Sequence, residues 1–199
     1  MRWNLYERSF RPVDVGKFVL VSILLLCGPF PQSLGPFFGL WRSIQLLFVA
    51  RKPMSTRSDI AVKKFRAGYN CAQAVLYSFC DDLDFDKGTA LRLACGLGAG
   101  MARKQEVCGA ITGGIITLGL KHGRGEGQDR TSTEETYRKV RELMSQFESK
   151  HGSCICRTLL KGCDMDTPDG QRYFKENDLL NQTCKVCVKT AVEILEEIL

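Results

Sequence analysis

The sequence predicts an all-α fold: a compact bundle of about five to seven helices around a buried, glycine-rich central helix. Three observations carry that expectation. Apolar residues recur at helical spacing along most of residues 54–199. Capping residues such as Asn70 and Thr183 stand just ahead of such runs. No stretch alternates apolar and polar side chains as a half-buried strand would.

The helices follow in order. Ser58-Asp59 caps a short helix with Ala61, Val62 and Phe65 on one face, and Gly68 ends it. Asn70 caps a second helix, Cys71 to about Cys80. The acidic turn Asp81 to Asp86 leads to a third, Gly88 to about Ala94, after which Gly96, Gly98 and Gly100 fragment the pattern. Val107 to Leu120 is uncharged and too short to cross a membrane, so it reads as the buried central helix. Its small residues Gly109, Ala110, Gly113 and Gly114 allow a neighbouring helix to approach closely. A glycine- and charge-rich loop, Lys121 to Arg130, precedes a long helix. Ser132 and Glu135 have capping-box spacing there, and Tyr137, Val140, Met144 and Phe147 mark the apolar face as far as Gly152. A short helix near Ser153 to Leu160 follows, then a linker around Thr167 to Gly170 containing Pro168. The last helix is expected to start at Cys184 behind Thr183, with a stripe of Val188, Ala191, Val192, Leu195 and Ile198.

Composition divides the 199 residues in two. Residues 1–53 form a hydrophobic, proline-rich leader, with seven basic side chains against two acidic ones and one cysteine, Cys27. Residues 54–199 form the helical domain, nearly neutral and holding nine cysteines. The basic balance belongs to the leader, so nucleic acid is not an expected partner. Phe18 to Trp41 carries no charge and has spanning length, but Pro29, Pro31 and Pro36 interrupt any helix. A membrane anchor, a signal peptide and a start placed ahead of Met54 are the three readings of the leader. Membrane association is expected only through residues 18–50. A domain of about 150 residues needs no disulfides, and its many thiols suit a reducing, cytoplasmic compartment.

Several chemistries are excluded. Gly96-x-Gly98-x-Gly100 lacks the third glycine of a dinucleotide fingerprint, and close packing explains those glycines better. His122 and His151 stand at expected helix ends and offer no triad. The Cys184–Cys187 motif is followed by Val188 instead of histidine, which removes covalent haem.

The cysteines remain. Cys71, Cys108, Cys156 and Cys184 are each expected at a helix start, where about half a positive charge and free N–H groups favour a thiolate. Cys80, Cys95, Cys154, Cys163 and Cys187 read as small buried hydrophobes. The runs Asn70-Cys71-Ala72-Gln73-Ala74 and Cys108-Gly109-Ala110-Ile111-Thr112-Gly113, with the late cysteines, resemble the C_GCAxxG_C_C family of redox-active proteins. The resemblance covers nearly all of residues 58–199, and its four signature cysteines map onto Cys71, Cys108, Cys156 and Cys184; Cys154 and Cys187 are extra. It implies a small bacterial or archaeal protein, often grouped with transporter genes. It also implies relatedness to a module of split-Soret cytochromes in which an iron–sulfur cluster is suspected.

Three functions stay open. The four thiolates could hold an iron–sulfur cluster or zinc in an electron-transfer protein whose redox partner the sequence does not name. Cys184 could be an exchange nucleophile resolved by Cys187 in a thiol–disulfide oxidoreductase. The chain could instead be a non-enzymatic accessory of a transporter, with no cofactor.

Overall fold

A computed structural model describes residues 56–199, and the expectations placed on the leader, including the anchor within residues 18–50, lie outside the described residues. Nine α-helices appear among those residues: α1 (Thr56–Arg66), α2 (Cys71–Ser78), α3 (Lys87–Leu93), α4 (Gly98–Met101), α5 (Gly109–His122), α6 (Thr131–His151), α7 (Cys156–Leu159), α8 (Pro168–Glu176) and α9 (Lys185–Ile198). A 3₁₀ turn, Cys95–Leu97, precedes α4, and a π-helical turn, Leu180–Cys184, runs into α9. The all-helical expectation holds for these residues, whose only β-like pairing is an isolated bridge between Val107 and Ile155. None of these helices is long and apolar enough to cross a membrane.

The count exceeds five to seven because two helices were not expected. Around Thr167 the chain looked like a linker because it contains Pro168. Proline is well placed at the first helical position, where its missing N–H loses no bond. Thr167 caps α8 by accepting the Gly170 N–H at 3.0 Å. The other addition, α4, is a single irregular turn with left-handed backbone at Ala99 and Gly100.

α9 carries the core. Val188, Ala191, Val192, Ile194 and Leu195 are all fully buried, and this stripe packs on α1, α2, α5 and α6. Each such aliphatic side chain contributes roughly 1.5–3 kcal/mol by leaving water. α5 packs against α2, α6 and α9, burying Gly109, Gly113 and Gly114 with Ile111 and Leu118. A Cβ on Gly114 would stand 2.8 Å from a Leu143 methyl of α6, so close packing does explain these glycines.

Two details of α6 differ from expectation. No capping box forms at Ser132 and Glu135: the Thr131 N–H is taken by Asp129 at 2.7 Å, and Glu135 pairs with Arg138 at 2.8 Å. The buried face is Leu143 and Phe147 with Lys139, while Tyr137 is 56 % exposed. Lys139 lies inward because its ammonium donates to the Ile198 carbonyl at the open end of α9.

Candidate functional site

Each expected site cysteine is set by its own piece of chain. Cys71 begins α2 behind a complete capping box, in which Asn70 Oδ1 accepts the Gln73 N–H and Gln73 Oε1 accepts the Asn70 N–H, both at 3.0 Å. Cys108 is the N-cap of α5, and its N–H donates to the Cys154 carbonyl at 2.8 Å. Cys156 begins α7 with its N–H donated to the Glu106 carbonyl at 2.7 Å. Cys184 departs from expectation. Thr183 caps nothing; both residues lie in the π-helical turn, and Cys184 sits where that turn passes into α9. Its N–H belongs to a continuing helix, so the charge argument for a helix start does not apply there.

Close approach of backbone brings these pieces together. A Cβ on Gly109 would stand 3.1 Å from Cys71 Cβ, and one on Gly100 would stand 2.8 Å from Cys156 Cβ. Gly100 has φ +64, so a side chain there would be strained as well as crowded. Behind it, Gln105 is 1 % exposed and fully engaged: its amide donates to the Cys163 carbonyl at 2.6 Å and accepts the Met165 N–H at 2.9 Å.

One cavity of about 190 Å³ is lined by Cys71, Cys108, Cys156 and Cys184 together with Cys187. Its other walls include Phe65, Leu160, Met165 and Phe174. Four cysteines from four separate stretches thus reach one chamber, whose lining includes neither carboxylate nor imidazole. Cys154, the other possible secondary thiol, stays outside and donates to the Met144 carbonyl at 3.4 Å. Cys80 and Cys163 likewise donate to backbone carbonyls, and Cys95 is exposed.

Within the chamber the sulfurs influence one another in pairs: Cys71 is affected most by Cys184, and Cys108 by Cys187. Cys187 holds the Cys108 thiol below its ordinary pKa; the backbone N–H groups of Ala110 and Ile111 add to this, against burial. Cys187 is driven the opposite way, first by Cys108 and then by burial. Cys71 is also raised, by Cys184 and then by burial. Burial pushes Cys156 up to about 12, helped by negative charge on Cys108 and Cys184. At Cys108 the helix N–H groups thus add to the larger effect of Cys187, while the helix-start expectation is overridden at Cys71 by Cys184 and then burial, and at Cys156 by burial.

The chamber's donor chemistry suits a soft metal centre: five thiols line it, with Tyr69, Asn70 and Thr183 the other polar side chains and no carboxylate or imidazole among them. Among the described residues no three Cys, His, Asp or Glu side chains stand together as a ready metal site.

Residues 69–198 match the family described as "Putative redox-active protein (C_GCAxxG_C_C)". The chain belongs to this family. A C_GCAxxG_C_C protein is redox-active by its family's description, and in this member the matched stretch contains all five chamber cysteines. No curated protein and no solved structure matches the chain.

Sequence reasoning missed the α8 side of this C_GCAxxG_C_C chamber, where Met165 and Phe174 close the wall. The Thr-Pro-Asp start of α8 was the available signal. Gln105 had no signal at all, since a lone glutamine in a basic loop looks solvated.

Proposed function

We propose that the chamber is a soft-metal redox centre, in which Cys71, Cys108, Cys156 and Cys184 hold an iron–sulfur cluster for electron transfer, with zinc as the alternative occupant. The observation that carries this reading is the convergence of those four cysteines on one mostly apolar cavity that no carboxylate or imidazole lines. A bound cluster would supply one-electron chemistry. The chain's own residues would do the rest. Cys108, whose pKa is lowered by Cys187 and by the α5 N–H groups, would give up its proton to a metal most readily. Phe65, Leu160 and Phe174 would give the sulfurs an apolar surround. Binding would have to draw the thiols together and release their protons. The nine free thiols of the described residues fit a reducing, cytoplasmic setting.

The test is the full-length protein handled anaerobically and reconstituted with ferrous iron and sulfide. Visible absorption that bleaches with dithionite, lost in Cys156→Ser and kept in Cys95→Ser, is the expected result. A colourless, metal-free protein after reconstitution would overturn it.

That Cys71 and Cys184 line the same chamber favours a second reading, thiol–disulfide exchange. Cys184 is the half-buried member and therefore the one a partner's disulfide could reach. The mixed disulfide would then form at Cys184, with Cys71 instead of Cys187 as the resolving thiol. A Cys71→Ser variant trapping a mixed disulfide at Cys184 is the expected sign.

A further inference from the structure

We propose that α8 is a lid over the cysteine chamber, swinging out between Met165 and Asp178 to admit a metal or a partner's sulfur to the buried thiols. The proposal rests on the chamber being the working site, by either of the readings above, and names its entrance.

The need for an entrance follows from burial. Cys71, Cys108, Cys156 and Cys187 are 8, 5, 6 and 1 % exposed. A cluster or a partner protein's sulfur therefore reaches them only when a wall moves. Most walls are held by the bundle. Phe65 stands on α1, which packs along α2 and α9, while Cys71 and Gly109 stand on α2 and α5, which pack along each other. Cys156 donates its N–H to the Glu106 carbonyl at 2.7 Å, and Arg157 donates to the Gln105 carbonyl at 3.0 Å.

The wall made by Phe174 is different. Phe174 is the residue of α8 that lines the chamber, and no residue of α8 is fully buried. Among the described residues α8 shares no extensive face with another helix. Phe174 instead packs against a small cluster of Cys156, Leu160, Cys163 and Leu179. That cluster is separate from the main core, which holds Cys71, Cys108 and Cys187. The chamber thus lies between two apolar clusters, and α8 belongs to the smaller one.

Both ends of α8 are held, but its length is not. Ahead of it, Gln105 holds the Cys163 carbonyl and the Met165 N–H. Behind it, Asp178 is left-handed at φ +47 and turns the chain towards the π-helical turn, where the Gln182 N–H donates to the Asp178 carbonyl at 2.9 Å. A residue of this kind at the end of an element is where a swinging segment absorbs its change of backbone angle. Between the two ends, the ion pair joining this stretch to the bundle is Lys104–Asp166 at 3.0 Å. Both its side chains are more than half exposed, so it holds little.

The test uses full-length, reduced, metal-free protein. A nine-residue helix is marginal by itself, so α8 exchanges its amide hydrogens whenever it leaves the bundle. Hydrogen exchange read by mass spectrometry should show residues 167–177 exchanging faster than α2, α5 and α9, by on the order of a hundredfold. Phe174→Ala removes the lid's apolar hold. It should speed alkylation of Cys71 and Cys156 by iodoacetamide about tenfold or more, while Cys80, buried in a different cluster, keeps its rate. An α8 that exchanges as slowly as α9 would overturn the proposal. So would a Phe174→Ala protein in which Cys71 keeps its rate, or in which Cys80 speeds up equally. Should that variant not fold, the wild-type exchange pattern decides alone. Neither arm uses metal: a chamber that takes no iron removes the metal reading and leaves the lid, and a slow α8 does the reverse.

Discussion

Gly113 faces the backbone of Ala72 so closely that a Cβ on it would stand 2.6 Å from the Ala72 carbonyl oxygen. This contact sets how near α5 comes to α2, and Cys71 and Cys108 stand at the starts of those two helices. The spacing of the chamber thus depends on a residue that never touches it.

Gly113→Ala is expected to destabilise the protein by about 1–3 kcal/mol, the usual cost of overpacking, despite alanine's better helix propensity. Urea denaturation measures it. The control is Gly119→Ala, where nothing lies within 4 Å of the added Cβ, and that change should be neutral or stabilising. Equal effects at the two positions would remove the role assigned to the α2–α5 approach.

Asn70→Ala should cost about 1–2 kcal/mol through loss of the cap. Asn70→Asp keeps an acceptor for the Gln73 N–H but loses the donor that reaches the Cys95 carbonyl at 2.8 Å. The expected order of stability is wild type, then Asp, then Ala, read from thermal melts. An aspartate as stable as the wild type would mean that the Cys95 bond contributes nothing.

Gln105→Leu keeps the side chain's approximate volume and strands the Cys163 carbonyl and the Met165 N–H. Each buried polar group left unpaired costs about 1–3 kcal/mol. Faster amide exchange confined to residues 163–166 is the expected local signature. Unchanged exchange there would refute the role given to Gln105.

Arg57 grips Asp82 through two bonds, at 2.6 and 2.7 Å, and holds its carboxyl below the ordinary aspartate pKa. With the folded value below the unfolded one, the stabilisation is complete above the unfolded value, about 3.9, and fades as pH falls through the folded one. Both side chains are more than a third exposed, so the contribution is no more than about 1 kcal/mol. Asp82→Asn should therefore lose stability at pH 6 and little at pH 2. A difference that grew on acidification would have the wrong sign.

How much was legible can be judged element by element. The apolar stripe of α9, the Asn70 cap, the glycine-rich run of α5 and the grouping of four signature cysteines could all be read from the chain. These are properties of local order: side-chain period, cap chemistry and a recognisable motif. α8 was missed because Pro168 was read as a breaker, although its position decides whether it breaks or starts a helix.

Which sulfur acts on which was not local. Cys184 and Cys187 are one helical turn apart, yet the sulfur that acts most on each comes from a different helix, because α9 packs between elements that the chain supplies far upstream. Protonation was decided at the same level. Four cysteines looked alike when read as helix starts, but only Cys108 combines the effect of Cys187 with N–H groups of a long helix. Cys71 is raised by Cys184 and then by burial, and Cys156 by burial, and both causes belong to the packed structure alone. The sequence by itself therefore determined the helices and the sulfur content of this protein. The tertiary structure decided the pairing and the charge, since both depend on distances and desolvation that exist only once the helices are packed.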